Sequence, residues 1–224
     1  MVVPMIKLEN ISKSFQINRE DFTVLKNVNL EIQEGEFVGI LGRSGSGKST
    51  LLNLIGFLDT KFSGNYEFEG KRVGQYSDNE LSKIRNKNVG FVFQNFALIE
   101  TMTVRQNVEV PLMYGGISQR KAHQLAKESL QKVGLSDFEN QSVRLLSGGQ
   151  RQRVAIARSL INSPSFIIAD EPTGALDSKT SKEIMDLFKS LNQMGVTIIL
   201  VTHDESLTVY CDRVIHLLDG EVVE

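Results

Sequence analysis

The chain has 224 residues, of which 41% are hydrophobic and 23% are charged, and this composition is ordinary for a soluble globular protein. Its formal net charge of -2 gives no overall reason to bind nucleic acid, and its one cysteine cannot form an internal disulfide. The sequence shows neither a secretion signal nor an apolar run near the length of about 18 residues that crosses a bilayer. We therefore expect a cytoplasmic protein that needs a partner for any work at a membrane.

The predicted strands are of two kinds. Residues 5–9 and 24–32 alternate apolar and polar side chains, which is typical of strands with one solvated face. Four later runs are short and almost wholly apolar, and they occupy residues 37–41, 89–93, 166–169 and 196–201. Such runs indicate strands buried on both faces, as in parallel sheets flanked by helices.

Helical patterns lie between these runs. Apolar residues recur at helical spacing over residues 178–194, and Ser118 is a candidate cap for a helix that follows it. Residues 95–160 contain helical patterns and no convincing strand. We expect one α/β domain over residues 1–224, with a mostly parallel sheet and an N-terminal antiparallel β part. Its core would comprise residues 1–94 and 161–224, and residues 95–160 would form an inserted helical subdomain.

The stretch "GRSGSGKST" matches the phosphate-binding pattern G-x-x-x-x-G-K-[ST] and lies between a predicted buried strand and an apolar helix. Its glycines let backbone N–H groups curl around phosphate oxygens, and the helix N-terminus favours anions. The candidate nucleotide-binding residues are Gly42, Arg43, Ser44, Gly45, Ser46, Gly47, Lys48, Ser49 and Thr50. Lys48 would reach the β- and γ-phosphates, and the Ser49 hydroxyl would bind Mg²⁺. This stretch predicts a P-loop core.

The strand "FIIA" is followed by two acids, Asp170 and Glu171. A carboxylate at a buried strand end is costly unless a cation or hydrogen bonds satisfy it. We therefore expect Asp170 in the Mg²⁺ shell and Glu171 to polarise the attacking water. The alternative is a pair of solvated acids that open a turn before Pro172.

Two other polar side chains, Gln94 and His203, also follow predicted buried strands. Ligands of doubly wound parallel sheets bind outside the carboxyl ends of the strands. One shared site would therefore explain Gly42, Gln94, Asp170 and His203 together. We expect Gln94 to contact Mg²⁺ or the water and His203 to hydrogen-bond the γ-phosphate.

The stretch "LSGGQ" places two glycines at the start of a predicted helix, although each glycine costs about 1 kcal/mol relative to alanine. Ser147 and Gln150 predict a capping box, which leaves Gly148 and Gly149 unexplained. An anion docked on the bare N–H groups would explain them. Because the lysine loop already surrounds its own phosphates, we expect this second helix start to face the nucleotide of another copy. Two chains would then pair head to tail and bury two ATP molecules.

With these motifs in this order, the sequence resembles the nucleotide-binding subunits of ABC transporters over nearly its whole length. The resemblance makes residues 42–50 the Walker A loop, Gln94 the Q-loop residue, and residues 146–150 the signature. It also makes Asp170 the Walker B aspartate, Glu171 the catalytic glutamate, Asp177 a D-loop residue near the dimer seam, and His203 the H-loop switch. It implies that Phe15 stacks on adenine, with Phe22 as a weaker candidate.

The run "ADEPTGALDSKT" is similar to the branch that contains lipoprotein-release, macrolide-export and antimicrobial-peptide exporters, and also the cell-division ATPase. The resemblance implies ATP hydrolysis with Mg²⁺, an ATP-dependent homodimer, and integral membrane permease subunits that hold the chain at the inner face of the membrane. We expect the permease groove near "NFALIETMT", with Phe96, Leu98 and Ile99 as contact candidates.

Three other functions compete with this interpretation. A soluble ABC-type ATPase of DNA repair or translation usually carries a coiled-coil insertion or a second cassette, and this sequence has neither. A P-loop small-molecule kinase would leave "LSGGQ", Glu171 and His203 without a role. A regulator that signals across the membrane, of the cell-division or stress-sensing type, remains open as the alternative to export. Arg151, Arg153 and Arg158 follow the signature on one helix, but the acidic balance of the chain argues against nucleic acid.

Overall fold

Two β-sheets form the framework of the computed structural model, which describes residues 3–17 and 20–223. The first sheet is antiparallel and has the strand order β2-β1-β4-β5. Its strands are β1 (Ile6–Ile17), β2 (Glu20–Ile32), β4 (Ser63–Phe68) and β5 (Lys71–Arg72). The two strands predicted at residues 5–9 and 24–32 are confirmed, and both are longer than expected.

The second sheet has six strands in the order β10-β9-β3-β8-β7-β6. They are β3 (Phe37–Leu41), β6 (Val89–Phe93), β7 (Phe166–Asp170), β8 (Thr197–Thr202), β9 (Arg213–Leu218) and β10 (Glu221–Val223). All adjacent pairs in this sheet are parallel except β9 and β10, which form an antiparallel hairpin. The predicted mostly parallel sheet is confirmed, and each predicted apolar run forms one of its strands.

Within the described residues, six α-helices connect the strands. They are α1 (Lys48–Ile55), α2 (Asp78–Asn88), α3 (Val104–Glu109), α4 (Gln119–Lys132), α5 (Gly148–Leu160) and α6 (Ser178–Gln193). Ser118 occupies the N-cap position of α4, as predicted, but its side chain makes no capping hydrogen bond. No described helix combines the length and the apolar character that a membrane crossing requires.

Residues 95–160 are helical apart from turns and one isolated bridge between Thr103 and Ser142. The helices α3, α4 and α5 pack on one another, and α5 also packs on β6. This arrangement places the start of α5 close to the end of β7.

The strands β3, β6, β7 and β8 are mostly apolar because both faces of this part of the second sheet are buried. On one face, Ile199 and Val201 of β8 join the antiparallel sheet and α1 in a single hydrophobic core. On the other face, Ile198 and Leu200 join a second core with α3 to α6. Alternate side chains of one strand therefore enter different cores, which leaves no position for a polar residue until the strand ends.

Candidate active site

The carboxyl ends of four parallel strands lie along one edge of the second sheet. Leu41 of β3 pairs with Thr202 of β8, and Asp170 of β7 pairs with Val201 of β8 and with Phe93 of β6. The register therefore brings out at this edge the residues that follow each strand: Gly42, Gln94, Glu171 and His203. The sequence predicts convergence of Gly42, Gln94, Asp170 and His203, and the register places Asp170, the last residue of β7, at the same edge as the other three.

The loop between β3 and α1 carries the phosphate-binding pattern. Gly45 and Gly47 have positive φ angles of 83° and 100°, a conformation that costs most other residues free energy. A Cβ atom on Gly42 would lie only 2.5 Å from Ser46 Oγ and 2.6 Å from the Leu217 carbonyl oxygen. Gly45 and Gly47 are therefore required by the turn, and Gly42 is required by the close approach of β9 and Ser46.

Side chains of this loop offer donors to an anion. Lys48 begins α1, and its Nζ donates to the carbonyl oxygens of Gly42 at 2.6 Å and Arg43 at 2.8 Å. Ser46 is 5% exposed, and its Oγ has no hydrogen-bond partner among the described residues, so this hydroxyl can bind a ligand oxygen. Arg43, Ser44 and Ser49 are exposed and Thr50 is half-buried.

Glu171 and His203 are in direct contact. His203 Nδ1 lies 2.6 Å from Glu171 Oε1, and the Thr202 hydroxyl donates to Glu171 Oε2 at 3.2 Å. Since an ionised carboxylate can only accept, Nδ1 carries the proton in this contact, and Nε2 can donate only when the imidazole is charged. The sequence predicts separate tasks for Glu171 and His203, whereas in the structure they form one hydrogen-bonded pair.

The backbone of Glu171 is strained, because its φ angle is 47°. Its N–H nevertheless donates to the Val201 carbonyl oxygen at 2.8 Å and so extends the pairing of β7 with β8 by one residue. This conformation turns the Glu171 side chain away from the direction that the next residue of a regular strand would take.

Asp170 ends β7 and is half-buried. Burial raises the pKa of its carboxyl above the ordinary value, the charge of Glu171 raises it further, and Lys48 opposes both. A bound cation would relieve this cost. The expected donors Ser49, Gln94 and Asp170 supply only oxygen, which suits Mg²⁺, an ion that takes one or two carboxylates together with substrate phosphates. In residues 3–17 and 20–223, no group of three or more His, Cys, Asp or Glu is arranged for a metal.

The start of α5 has the predicted capping box. Ser147 Oγ accepts from the Gln150 N–H at 3.3 Å, and the Ser147 N–H donates to Gln150 Oε1 at 2.9 Å. A Cβ atom on Gly149 would lie 2.5 Å from Thr180 Cγ2, and one on Gly148 would lie 3.1 Å from Leu176 Cδ2. Packing within the chain therefore already accounts for glycine at residue 149, whereas a Cβ at residue 148 would meet only the flexible end of Leu176.

Gln94 is exposed and contacts the loop that follows Glu171, since a Cβ atom on Gly174 would lie 2.7 Å from Gln94 Nε2. Phe15 is 41% exposed and lies opposite Phe22, so both rings are on one face of the β1–β2 pair. A Cβ atom on Gly47 would lie 3.1 Å from the Val24 carbonyl oxygen, so β2 runs beside the phosphate loop. This position is compatible with stacking of adenine on Phe15.

Two polar residues near the site, Thr202 and Gln152, were not predicted from the sequence, and Arg158 was considered only as part of a basic helical face. The Arg158 guanidinium donates to the carbonyl oxygens of Phe96 and Ala97, which have positive φ angles of 61° and 48°. Burial lowers the pKa of Arg158. No local pattern could have identified these contacts, because the partners of each residue come from other elements.

The parallel sheet, the phosphate loop and the acid-bearing strand end define a P-loop ATPase of the α/β class. A family model described as "ABC transporter" matches residues 25–174. The curated ABC transporter ATP-binding protein YknY of Bacillus subtilis is 48% identical over 98% of this chain and 95% of its own length. The macrolide export ATP-binding/permease protein MacB of Vibrio parahaemolyticus is 45% identical over 98% of this chain and 34% of its own length.

A solved structure gives the same result. The ATP-binding cassette MJ0796, described as a dimeric post-hydrolysis state bound to ADP and Pi, superposes with a TM-score of 0.88 at 48% identity. The match covers 98% of this chain and 97% of that one. The chain belongs to the ABC transporter family and is an ATP-binding ATPase of that family.

Proposed function

We propose that this chain is the ATP-hydrolysing subunit of an exporter and that it works as a head-to-tail homodimer with two ATP molecules at its seam. The observation that carries the proposal is the strand register, which collects Gly42, Gln94, Glu171 and His203 at one edge. No hydrogen bond or ion pair joins residues 147–150 to residues 42–50 in the described structure. The signature is therefore available to the nucleotide of a second copy, in keeping with the dimer described for MJ0796.

In this proposal the loop at residues 42–50 cradles the phosphates, and Phe15 stacks on the adenine. Ser49, Gln94 and Asp170 would hold Mg²⁺, which would neutralise charge on the phosphate groups. Glu171 accepts a proton from the attacking water, and Lys48 stabilises the charge on the transferred phosphoryl group. His203 holds Glu171 in place through Nδ1 and donates from Nε2 to the γ-phosphate when it is charged.

The partner's Ser147, Gly148, Gly149 and Gln150 close over the γ-phosphate. Residues 1–224 act as one ABC ATPase domain in this proposal, with a core of residues 1–94 and 161–224. The helical block at residues 95–160 moves with Gln94 and transmits closure to the membrane subunits. The transported molecule would be a peptide, a lipid-linked compound or a drug-like compound, as macrolide export by MacB suggests.

A groove of about 880 Å³ between α2, β6 and the segment after Gln94 is the proposed site for a cytoplasmic segment of the permease. Its apolar lining includes Leu58, Phe91 and Pro111, and the described residues that line it include three basic side chains and no acidic one. This favours an apolar segment that carries a carboxylate. The sequence predicts that Phe96, Leu98 and Ile99 contact the permease. In the structure, the residue of this segment that lines the groove is Ala97, and Leu98 packs against the second core.

The variant Glu171→Gln tests the assigned base. We expect it to bind ATP, to form stable dimers in size-exclusion chromatography with light scattering, and to hydrolyse ATP at least ~100-fold more slowly than the parent. Hydrolysis at near the parent rate would refute the assignment.

A mixture of Lys48→Ala and Ser147→Arg chains tests the shared site. Each variant alone should be inactive, whereas a mixed dimer keeps one site with an intact lysine loop and an intact signature. We expect part of the ATPase rate to return on mixing. If no mixing ratio restores activity, the head-to-tail arrangement is wrong.

The groove is tested by co-purification with membrane proteins in mild detergent. Leu58→Glu places a charge in the groove, and the matched control Met194→Glu places one at a surface position that is 71% exposed and outside the groove. We expect Leu58→Glu to lose an integral membrane partner that Met194→Glu retains, with the ATPase rate of the isolated chain unchanged in both. Equal retention by both variants would contradict the docking site.

A further inference from the structure

One buried amide joins α5 to the two loops that carry Gln94 and Glu171. Gln152 lies in the second turn of α5 and is 0% exposed. Its Nε2 donates to the Pro172 carbonyl oxygen at 2.6 Å and, more weakly, to the Phe93 carbonyl oxygen at 3.4 Å. Phe93 directly precedes Gln94, and Pro172 directly follows Glu171.

The second polar atom of this amide is not satisfied. Gln152 Oε1 is buried and has no hydrogen-bond partner among the residues that the structure describes. A buried polar atom without a partner is unfavourable, so this oxygen does not account for an amide at residue 152. The hydrogen bonds that Nε2 donates account for it instead.

The contact lies next to the strained residue of the site. Glu171 has a φ angle of 47°, and a proline at residue 172 restricts the backbone of the residue before it. The hydrogen bond from Gln152 fixes the carbonyl of Pro172, one residue beyond this strain. It thereby limits how the Glu171 carboxylate can turn relative to His203, at 2.6 Å, and Thr202.

We propose that Gln152 is a positioning residue that couples the two nucleotide sites of the dimer. This inference rests on the proposed composite site. The first turn of α5 acts on the partner's nucleotide, while Glu171 acts on the nucleotide of its own chain. Gln152 joins α5 to the residue after Glu171 through its hydrogen bond to the Pro172 carbonyl oxygen. Closure of the signature on one ATP thus sets the orientation of the base at the other.

The test is Gln152→Leu, which removes the donor and also the unsatisfied oxygen. We expect a modest fall in the midpoint of urea unfolding, because the Pro172 carbonyl oxygen loses its donor. The KM for ATP should stay within about twofold of the parent value. We expect kcat to fall about tenfold or more, since misplacing a catalytic group by ~1 Å costs up to ~100-fold. The Hill coefficient for ATP should fall toward about 1, the value for independent sites. An unchanged kcat and Hill coefficient would overturn the proposal.

The matched control is Asn192→Leu. Asn192 is also a buried amide on a helix, and its Nδ2 donates to the Gly35 and Val196 carbonyl oxygens at 2.8 and 3.1 Å. These carbonyls lie at the amino ends of the parallel strands, away from the site. We expect Asn192→Leu to lower stability and to leave kcat and the Hill coefficient unchanged. A similar kinetic loss in the control would make the effect of Gln152→Leu a general result of altered packing.

A double variant separates this inference from the proposed function. If Gln152 acts through Glu171, the residual rate of Glu171→Gln should not fall further when Gln152→Leu is added, and ATP-dependent dimers should persist. A multiplicative loss would refute the coupling. Failure of Glu171→Gln alone to form ATP-dependent dimers would instead refute the composite site, which is a different outcome.

Discussion

A substitution at Gly149 tests how closely the start of α5 packs against α6. In Gly149→Ala the new methyl would lie 2.5 Å from Thr180 Cγ2, well inside contact distance. Thr180 cannot turn away freely, because its Oγ1 donates to Asp177 Oδ2 at 2.6 Å and its N–H donates to Asp177 Oδ1 at 3.0 Å. Overpacking of this kind costs about 1–3 kcal/mol. The better helix propensity of alanine returns about 1 kcal/mol, so we expect a net loss of up to about 2 kcal/mol.

The assay is urea unfolding of the chain without nucleotide, in the parent and in Thr180→Ser. Serine keeps the hydroxyl that donates to Asp177, the N-cap residue of α6, and it lacks Cγ2. We expect Gly149→Ala to be destabilising in the parent and neutral or stabilising in Thr180→Ser. As a control, Gly148→Ala should cost less, because its nearest neighbour is the flexible end of Leu176 at 3.1 Å.

A Gly149→Ala cost that is the same with threonine or serine at residue 180 would refute this packing argument. The ATPase rate of Gly149→Ala/Thr180→Ser tests whether Gly149 also acts on the nucleotide of the partner. If residue 149 also faces the partner's nucleotide, hydrolysis should stay low in Gly149→Ala/Thr180→Ser after stability has recovered. Full recovery of hydrolysis would limit the function of this glycine to internal packing.

Three further predictions concern charges and a thiol. Asp170→Asn should raise the thermal stability of the nucleotide-free chain at pH 7, because the buried carboxylate is unfavourable there, and should abolish Mg²⁺-dependent hydrolysis. Lys13 Nζ lies 2.7 Å from Asp59 Oδ2, and Lys13→Met should cost about 3 kcal/mol at pH 7 in urea unfolding. Burial raises the pKa of Asp59, but the hydrogen bonds from Lys13 and the Lys61 N–H leave it below the ordinary value, so this cost should shrink as the pH falls below about 4. Burial raises the pKa of the Cys211 thiol to about 11, so iodoacetamide at pH 8 should alkylate the native chain at least ~10-fold more slowly than the urea-unfolded chain.

Local sequence determined most of the elements that build the site. The four apolar runs formed strands because both faces of the parallel sheet are buried. The strands that local sequence did not predict depend on pairing with adjacent strands. For example, β4 has the sequence "SGNYEF", which is poor in strand formers, and it is held by pairing with β1. The strand β9 likewise depends on the edge that β3 offers, and β10 depends on its pairing with β9.

The sequence by itself determined the chemistry of this protein: a phosphate loop, acids after a buried strand and a capped glycine-rich helix start, each set by a few adjacent residues. Tertiary structure alone decided how these groups act on one another. It placed His203 against Glu171, Thr180 against Gly149, and Gln152 on the carbonyls beside Gln94 and Glu171. Contacts between residues far apart in the chain follow from strand register and helix packing, and these are fixed only when the whole core is buried together.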